Sequence, residues 1–188
     1  MSPTDARMCW ERHATSKIKQ VDDLFKLRTM GFRGEALASI AAVAQVELKT
    51  KREEDELGTQ IGIEASEVKR QEYVACPKGT SILVKNLFYN VPARRNFLKS
   101  NPVETRHILN ESIRIALANP QIHLTVQHSD TRVYDLPATG LKGRIVQLFE
   151  GRKPEDLITF EEETSMIKVS GFVGTPTSAK KTRDEQFF

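Results

Sequence analysis

Residues 31–40, GFRGEALASI, combine two glycines with the small residues that begin a helix. The spacing predicts that the backbone amides of residues 34–37 point outward at a helix N-terminus, where the helix dipole also favours an anion. Gly31 and Gly34 lack the Cβ atoms that would block close approach of a ligand. The pattern therefore indicates a phosphate site. A tight turn before a packed helix explains the same glycines equally well.

Residues 12–18, RHATSKI, place two adjacent hydroxyls, Thr15 and Ser16, directly before Lys17. Hydroxyl groups donate hydrogen bonds to phosphate oxygens, and the lysine ammonium offsets their charge. Taken alone, the pattern favours a solvated helix end with capping residues. His13 has no partner acid nearby in the sequence, so we expect a structural histidine rather than a base.

A third polar pattern, in residues 78–99, combines the start of a strand with a basic loop. Gly79 and Thr80 open the strand, which places the Thr80 hydroxyl within reach of a ligand at the sheet edge. In the following loop, Arg94 and Arg95 are candidates for phosphate contacts, although a charged, solvated loop is the commoner explanation.

In this order, the three segments resemble the MutL family of DNA mismatch repair proteins, which are GHKL ATPases. The string GFRGEAL distinguishes this family from DNA gyrase and the related heat-shock chaperone. The resemblance implies an ATP lid at residues 15–17, triphosphate binding at residues 31–37, and an adenine contact from Thr80. The nucleotide-binding residues that it implies are Thr15, Ser16, Lys17, Gly31, Phe32, Arg33, Gly34, Glu35, Ala36, Leu37 and Thr80.

The resemblance also implies an α+β fold, in which a partial GHKL (Bergerat-type) ATPase sandwich precedes the start of a ribosomal-protein-like transducer domain. We place the boundary near Asn119 and Pro120. Residues 1–119 are then the C-terminal part of the ATPase domain, and residues 120–188 are the N-terminal part of the transducer domain. The first helix and strands of the family fold have no counterpart, so we expect an uncovered apolar sheet face that self-association hides.

The missing segment limits the activity that we expect of the chain. In the family it carries the water-activating glutamate, a magnesium-binding asparagine and a DxGxG turn whose aspartate reads the adenine. Glu11 and Glu35 lie outside that motif and do not replace the base. A general base contributes about 10²–10⁴-fold to a rate, so we expect no catalytic residue and no hydrolysis by this piece. ATP and Mg²⁺ are expected cofactors of the longer parent protein, with none bound to this chain and no metal ligands in it.

Hydrophobic periodicity and turn residues predict the elements that position these residues. Ser2, Pro3 and Asp5 form a capping pattern at the start of a helix that reaches about Arg12. An acidic loop at residues 53–56 indicates a hairpin. Further helices are predicted at residues 22–27, 34–44, 101–119 and 141–151, and strands at 46–50, 59–65, 81–88, 122–129, 131–136 and 166–173.

The amino-acid composition limits the classes of protein to which the chain can belong. The 188 residues carry 28 Lys and Arg against 25 Asp and Glu, a net charge of +3 that permits nucleic-acid binding without requiring it. No apolar run approaches the roughly 20 residues of a membrane span, and the first residues do not form a signal peptide. Cys9 and Cys76 form neither a disulfide framework nor a metal quartet. We expect a cytoplasmic, nucleoid-associated protein.

The resemblance implies that the parent protein slowly hydrolyses ATP to couple mismatch recognition to strand incision and excision. Its implied partners are DNA, bound weakly and non-specifically, the mismatch-recognition and nicking or excision repair proteins, and a second copy of itself. Two alternatives stay open: a non-catalytic module that binds DNA or a repair partner, and a piece of another GHKL enzyme such as a type II topoisomerase. The candidate DNA contacts are Arg94, Arg95, Lys142, Arg144, Arg152 and Lys153.

Overall fold

The first half of the chain folds around an antiparallel sheet whose apolar side chains alternate along the strands. The alternation buries Val46 and Leu48 on one face, where they pair in register with Ile63 and Ile61 of the neighbouring strand. The predicted acidic loop joins these two strands as a hairpin. The sheet has four strands in the order β3-β2-β1-β4, namely β1 (Gln45–Lys51), β2 (Gly58–Glu64), β3 (Glu67–Val74) and β4 (Gly79–Lys85).

Two short helices, α1 (Pro3–Met8) and α2 (Ala36–Val43), pack against the apolar face of β1 and β2. The same half of the chain contains a 3-10 helix (Val21–Lys26) and α3 (Pro92–Arg95), neither of which has a buried residue. At the start of α1, the Ser2 hydroxyl accepts a hydrogen bond from the Asp5 amide at 3.1 Å, as the capping pattern predicts. From α1 and its C-terminal end, Ala6 and Trp10 pack against the sheet, and Ala41 of α2 joins the same core.

Strand β4 differs from the other strands because all of its side chains are exposed. It pairs with β1 alone, and its outer edge has no neighbouring strand. Ile82, Leu83 and Val84 are 41–44% exposed, so this edge of the sheet presents consecutive aliphatic side chains to solvent. The expectation from the sequence was an uncovered apolar sheet face that self-association hides, and it stays a prediction.

The second half of the chain combines two helices with two separate hairpins. The hairpin β5–β6 and the helices α4 and α5 share a small core of Ala116, Leu136 and Leu148. Helix α4 ends at Ala118, and its C-terminal cap, Asn119, stands directly before Pro120, as predicted. The elements are α4 (Asn101–Ala118), β5 (Leu124–His128), β6 (Thr131–Leu136), α5 (Leu141–Leu148), β7 (Leu157–Glu163) and β8 (Lys168–Gly174).

The computed structural model describes every residue from Met1 to Phe188, and these form two compact units, Met1–Leu98 and Lys99–Phe188. The division falls before α4, whereas the sequence suggested a boundary after it. The reason is that Ala116 of α4 packs with the second half of the chain. Antiparallel sheets and separate helices confirm the α+β class. The assignment of the two parts to ATPase and transducer domains stays a prediction.

Some predicted boundaries differ from the observed ones. Helix α1 ends at Met8 rather than near Arg12, and α5 ends at Leu148. Strands β3 and β7 were not predicted, because their side chains are mostly polar and exposed. None of the helices combines the length and the apolar composition that a membrane span requires.

Candidate phosphate-binding site

The turn before α2 brings the first two predicted phosphate-binding segments together at Gly34. This residue has φ of +65°, and a Cβ atom built on it would lie 2.4 Å from the carbonyl oxygen of Ala14. The obstacle is backbone, which cannot move aside as a flexible side chain would. Gly34 is therefore required both by its left-handed conformation and by the close approach of residues 12–18. By contrast, a Cβ atom on Gly31 would meet nothing within 4 Å.

The amides at the start of α2 have no protein partners. Helix α2 begins after Glu35, whose side chain makes no capping hydrogen bond. The amide of Ser39 donates to the carbonyl of Glu35 at 2.9 Å, but none of the amides of residues 34–37 donates to another residue. Free amides at the positive end of a helix dipole are what a phosphate oxygen requires.

A carboxylate lies at the same helix terminus. Oε1 of Glu35 is 2.7 Å from Nδ1 of His13, so the acid that the sequence did not reveal for His13 comes from the other segment. That oxygen is shielded from solvent and accepts no aligned hydrogen bond. His13 has φ of +63°, an uncommon conformation for a residue with a Cβ atom. When His13 is neutral, the Glu35 charge opposes an anion at this terminus.

The segment that follows Ala14 adds basic side chains. The amide of Lys17 donates to the Thr15 hydroxyl at 3.1 Å, which turns the chain. Asp23 accepts hydrogen bonds from the amides of Lys19 and Gln20, and these lower its pKa. A shallow, open depression is lined by Ser16, Lys17, Lys26, Arg28 and Thr29, with Asp23 as its acidic member.

Two predicted nucleotide contacts have other partners. The hydroxyl of Thr80, on β4, lies 2.9 Å from that of Thr50 on β1. No hydrogen bond joins Thr80 to either of the segments that meet at Gly34. The guanidinium of Arg33 lies over the ring of Phe32, 5.2 Å from its centroid. The structure thus brings together residues 12–18 and 31–37, and the Thr80 hydroxyl is paired with Thr50 rather than with either segment.

Four of the six residues that were predicted to contact DNA have side chains without an acidic partner. Arg94 and Arg95 are exposed on α3, and the Arg94 guanidinium lies 5.8 Å from the centroid of the Phe88 ring. Lys142 is half-buried on α5, and Lys153 is exposed after it. None of these four side chains takes part in an ion pair within the chain.

The prediction that Arg144 contacts DNA is wrong, because this residue is 0% exposed. Its Nη2 donates to the carbonyl oxygens of Pro120, Ile122 and Pro137 at 2.8, 2.7 and 3.3 Å. Nε and Nη1 have no partner in the chain. The side chain therefore fixes the loops on either side of the β5–β6 hairpin.

Arg152 is also engaged within the chain. Its side chain is 15% exposed and pairs with Glu185, which is 18% exposed. Burial alone would raise the pKa of Glu185, but hydrogen bonds from Lys180 and Arg152 outweigh it, so the pKa lies below its ordinary value. As the structure stands, Arg152 is not available for a DNA phosphate.

No family model matches the chain. Over all 188 residues it is 60% identical to the DNA mismatch repair protein MutL of Christiangramia forsetii and 57% identical to that of Flavobacterium johnsoniae. It spans only 30% and 29% of the length of these relatives.

Two solved structures resemble the chain. The Aquifex aeolicus MutL ATPase domain complexed with ADP is 28% identical, with a TM-score of 0.67, over 83% of this chain and 60% of that one. The N-terminal domain of a DNA repair protein matches the whole chain in fold, with a TM-score of 0.75 and 20% identity, over 60% of its own length.

Proposed function

The chain is related along its entire length to the MutL family of DNA mismatch repair proteins, and we infer that it forms part of the ATP-binding region of such a protein. We propose that the longer protein binds ATP and hydrolyses it slowly, coupling mismatch recognition to strand incision and excision. The chain spans under a third of its curated relatives, so these activities are assigned to the longer protein and not to the 188 residues alone.

The observation that carries this proposal is the contact between Gly34 and the backbone of Ala14. It joins a helix N-terminus with free amides to a segment that carries Thr15, Ser16 and Lys17. Backbone amides, hydroxyls and a lysine are complementary to the oxygens of a triphosphate. Residues 34–37 would bind the phosphates, and Lys17 would offset their charge.

The residues present fit the phosphates of ATP better than they fit its metal. The structure holds no group of three or more His, Cys, Asp or Glu side chains that could hold a metal ion. When bound with ATP, magnesium neutralises charge on the phosphates. We assign no residue of this chain to the metal, and no general base, so the chain contributes phosphate binding and orientation.

Isothermal titration calorimetry of the 188-residue chain with tripolyphosphate and with Mg-ATP tests this assignment. We expect similar, weak binding of both, with no micromolar dissociation constant, because the hydroxyl of Thr80, the adenine contact that we assign to this chain, is paired with Thr50. Gly34→Ala should abolish both. Micromolar binding of Mg-ATP alone would show a working adenine site, and the absence of tripolyphosphate binding would refute phosphate binding by this chain.

DNA is the partner that we propose for the four basic residues without an acidic partner. Phosphate contacts from Arg94, Arg95, Lys142 and Lys153 would give weak binding that falls steeply with salt and ignores sequence. A gel-shift titration with duplex DNA at low salt should show binding by the chain, and Arg94→Ala with Arg95→Ala should weaken it. No binding at low salt would refute the proposal. Repair proteins and a second copy of the longer protein are further proposed partners, and association with the nucleoid would follow from DNA binding.

A further inference from the structure

Two contacts between residues 12–18 and the start of α2 lie side by side. Gly34 lies against the backbone of Ala14, and the residues next to them, Glu35 and His13, bring Oε1 and Nδ1 within 2.7 Å of each other. Because the backbone contact fixes the two segments, the carboxylate and the imidazole are held together by the same turn that leaves the amides of residues 34–37 free. A titratable side chain is therefore built into the candidate phosphate site.

The carboxylate of Glu35 is the more shielded member of this pair. Its side chain is 39% exposed, against 84% for His13, and its Oε1 atom is shielded from solvent. No donor of the chain forms a hydrogen bond with that oxygen, so the Glu35 charge has no partner besides the imidazole. Water weakens the field of a partly desolvated carboxylate less than that of an exposed one. The Glu35 charge therefore acts on the start of α2 unless the imidazole is protonated.

The backbone of His13 supports a fixed position for the imidazole. This residue has φ of +63°, a left-handed conformation that costs energy in a residue with a Cβ atom. Such a conformation persists where the surrounding contacts determine it, and here these are the contact of Ala14 with Gly34 and the pair with Glu35. His13 is therefore positioned against Glu35 although most of its side chain is exposed.

Glu35 is the charged side chain that the structure places against His13. The guanidinium of Arg33 lies over the Phe32 ring. Four other charged residues are close in sequence to one member of the pair, and none of them forms an ion pair in the chain: Glu11, Arg12, Lys17 and Arg33. A change in the charge of His13 therefore acts first on Glu35.

The net charge at this helix terminus depends on the protonation of His13. Histidine is the side chain whose charge ordinarily changes between pH 5 and 8, where carboxylates stay ionised. With a neutral imidazole, the pair carries one negative charge, which opposes an anion at the positive end of the α2 dipole. With a protonated imidazole, the pair has no net charge, and the free amides can bind an anion without that opposition.

We propose that His13 is a proton-dependent regulator of the phosphate site at residues 34–37, and that it acts by offsetting the charge of Glu35. Phosphate binding is then tighter at pH 5.5, where the imidazole is protonated, than at pH 7.5. By reciprocity, a bound phosphate favours the protonated form of His13. This regulation rests on the proposed phosphate site and adds the condition under which that site accepts an anion.

An NMR titration of the chain with sodium sulfate at pH 5.5 and pH 7.5, at constant ionic strength, tests this proposal. Sulfate is a tetrahedral dianion across this range, so the charge of the probe does not change with pH, as that of a phosphate would. The methyl signals of Ala36 and Leu37 report on the start of α2 and, unlike amide signals, do not exchange with water. We expect the dissociation constant to be about 2–5-fold lower at pH 5.5, the size of a charge effect at a helix terminus.

Three variants separate the roles of the two side chains. His13→Asn removes the titratable group but keeps a residue that tolerates the left-handed backbone, and it should bind sulfate equally at both pH values. Glu35→Gln should bind sulfate at pH 7.5 as tightly as the unmodified chain does at pH 5.5, because the pair has no net charge in either case. His128→Gln is the matched control, since His128 is an exposed histidine of β5 that forms no ion pair, and it should keep the full dependence on pH.

Sulfate binding that does not change with pH, or an equal dependence on pH in His13→Asn, would overturn the regulation and leave the phosphate site intact. An unchanged affinity of Glu35→Gln at pH 7.5 would overturn the action through Glu35. If neither the unmodified chain nor Glu35→Gln binds sulfate at either pH, the phosphate site itself is refuted, and the regulation fails with it.

Discussion

The two units differ in whether their polar groups have partners within the chain. In Met1–Leu98, the turn at Gly34 leaves a set of backbone amides without partners and lies against Ala14, in the segment that carries Lys17. In Lys99–Phe188, Arg144 donates to backbone carbonyls and Arg152 to Glu185, so both cations are engaged within the fold. Backbone amides that are free at a helix N-terminus are evidence for a ligand, whereas cationic side chains buried against acceptors of the same chain are evidence for a structural role. The number of basic residues in a sequence does not distinguish those that bind a ligand from those with a structural role.

The largest expected effect is the loss of stability when Arg144 is replaced, which tests its structural role. Arg144→Ala should destabilise the second unit by about 3–5 kcal/mol, because buried carbonyls lose a charged donor and a cavity forms. Lys142→Ala, on the same helix and half-buried, should cost under about 0.5 kcal/mol. Urea unfolding measures both. A stable, folded Arg144→Ala with weaker DNA binding would return Arg144 to the DNA-binding set.

Gly34→Ala tests the turn with free amides in the first unit. We expect a loss of about 2–3 kcal/mol of stability, from the left-handed backbone and the clash with Ala14, together with loss of tripolyphosphate binding. Gly62→Ala is the matched control, since its Cβ would make ordinary contact at 3.6 Å with Arg70. It should change stability by less than about 1 kcal/mol. Equal effects of the two changes would show that Gly34 has no special role.

The dependence of stability on pH sharpens the account of Glu185. Because its pKa is lower in the folded than in the unfolded chain, the bonds to Lys180 and Arg152 stabilise the fold above the ordinary value of 4.5. This contribution is lost as the pH falls below that value and through the folded pKa. The stability difference between the unmodified chain and Glu185→Gln should therefore shrink between pH 6 and pH 3. A constant difference in urea unfolding across this range would contradict the role of the carboxylate.

The smallest expected effect concerns the charge at the start of α2. Glu35→Gln should tighten tripolyphosphate binding about 2–5-fold, since a carboxylate at a helix N-terminus competes with an anion for about 0.3–1 kcal/mol. His13→Ala should weaken binding, because the remaining Glu35 charge has lost its partner. Titration calorimetry of both variants measures these changes, and weaker binding by Glu35→Gln would contradict the account.

The sequence predicted the elements whose local chemistry is decisive. The capping of α1 by Ser2, the end of α4 before Pro120, and the alternation in β1 and β2 all follow from residue types at fixed spacings. Strand β3 escaped prediction because its polar, exposed residues carry no apolar alternation, and its pairing with β2 defines it as a strand. The resemblance to the MutL family, carried chiefly by GFRGEAL, is confirmed by the relatives.

The candidate site was predictable in part for the same reason. A glycine before a helix is visible in the sequence, and the amides of residues 34–37 have no partner in the chain. The role of residues 31–37 as a phosphate site stays a prediction. The pairing of His13 with Glu35 was not predictable, because it depends on the tertiary contact at Gly34. The partners of Arg144 and Arg152 were hidden for the same reason, since they come from distant parts of the chain.

The central claim is that residues 12–18 and 31–37 form one phosphate site. An NMR titration of the ¹⁵N-labelled chain with tripolyphosphate tests it most directly. The account predicts that the amides of residues 34–37 and of Thr15, Ser16 and Lys17 shift together and fit one dissociation constant, and that Gly34→Ala removes the shifts. Shifts confined to lysines and arginines elsewhere, or different dissociation constants for the two segments, would contradict it.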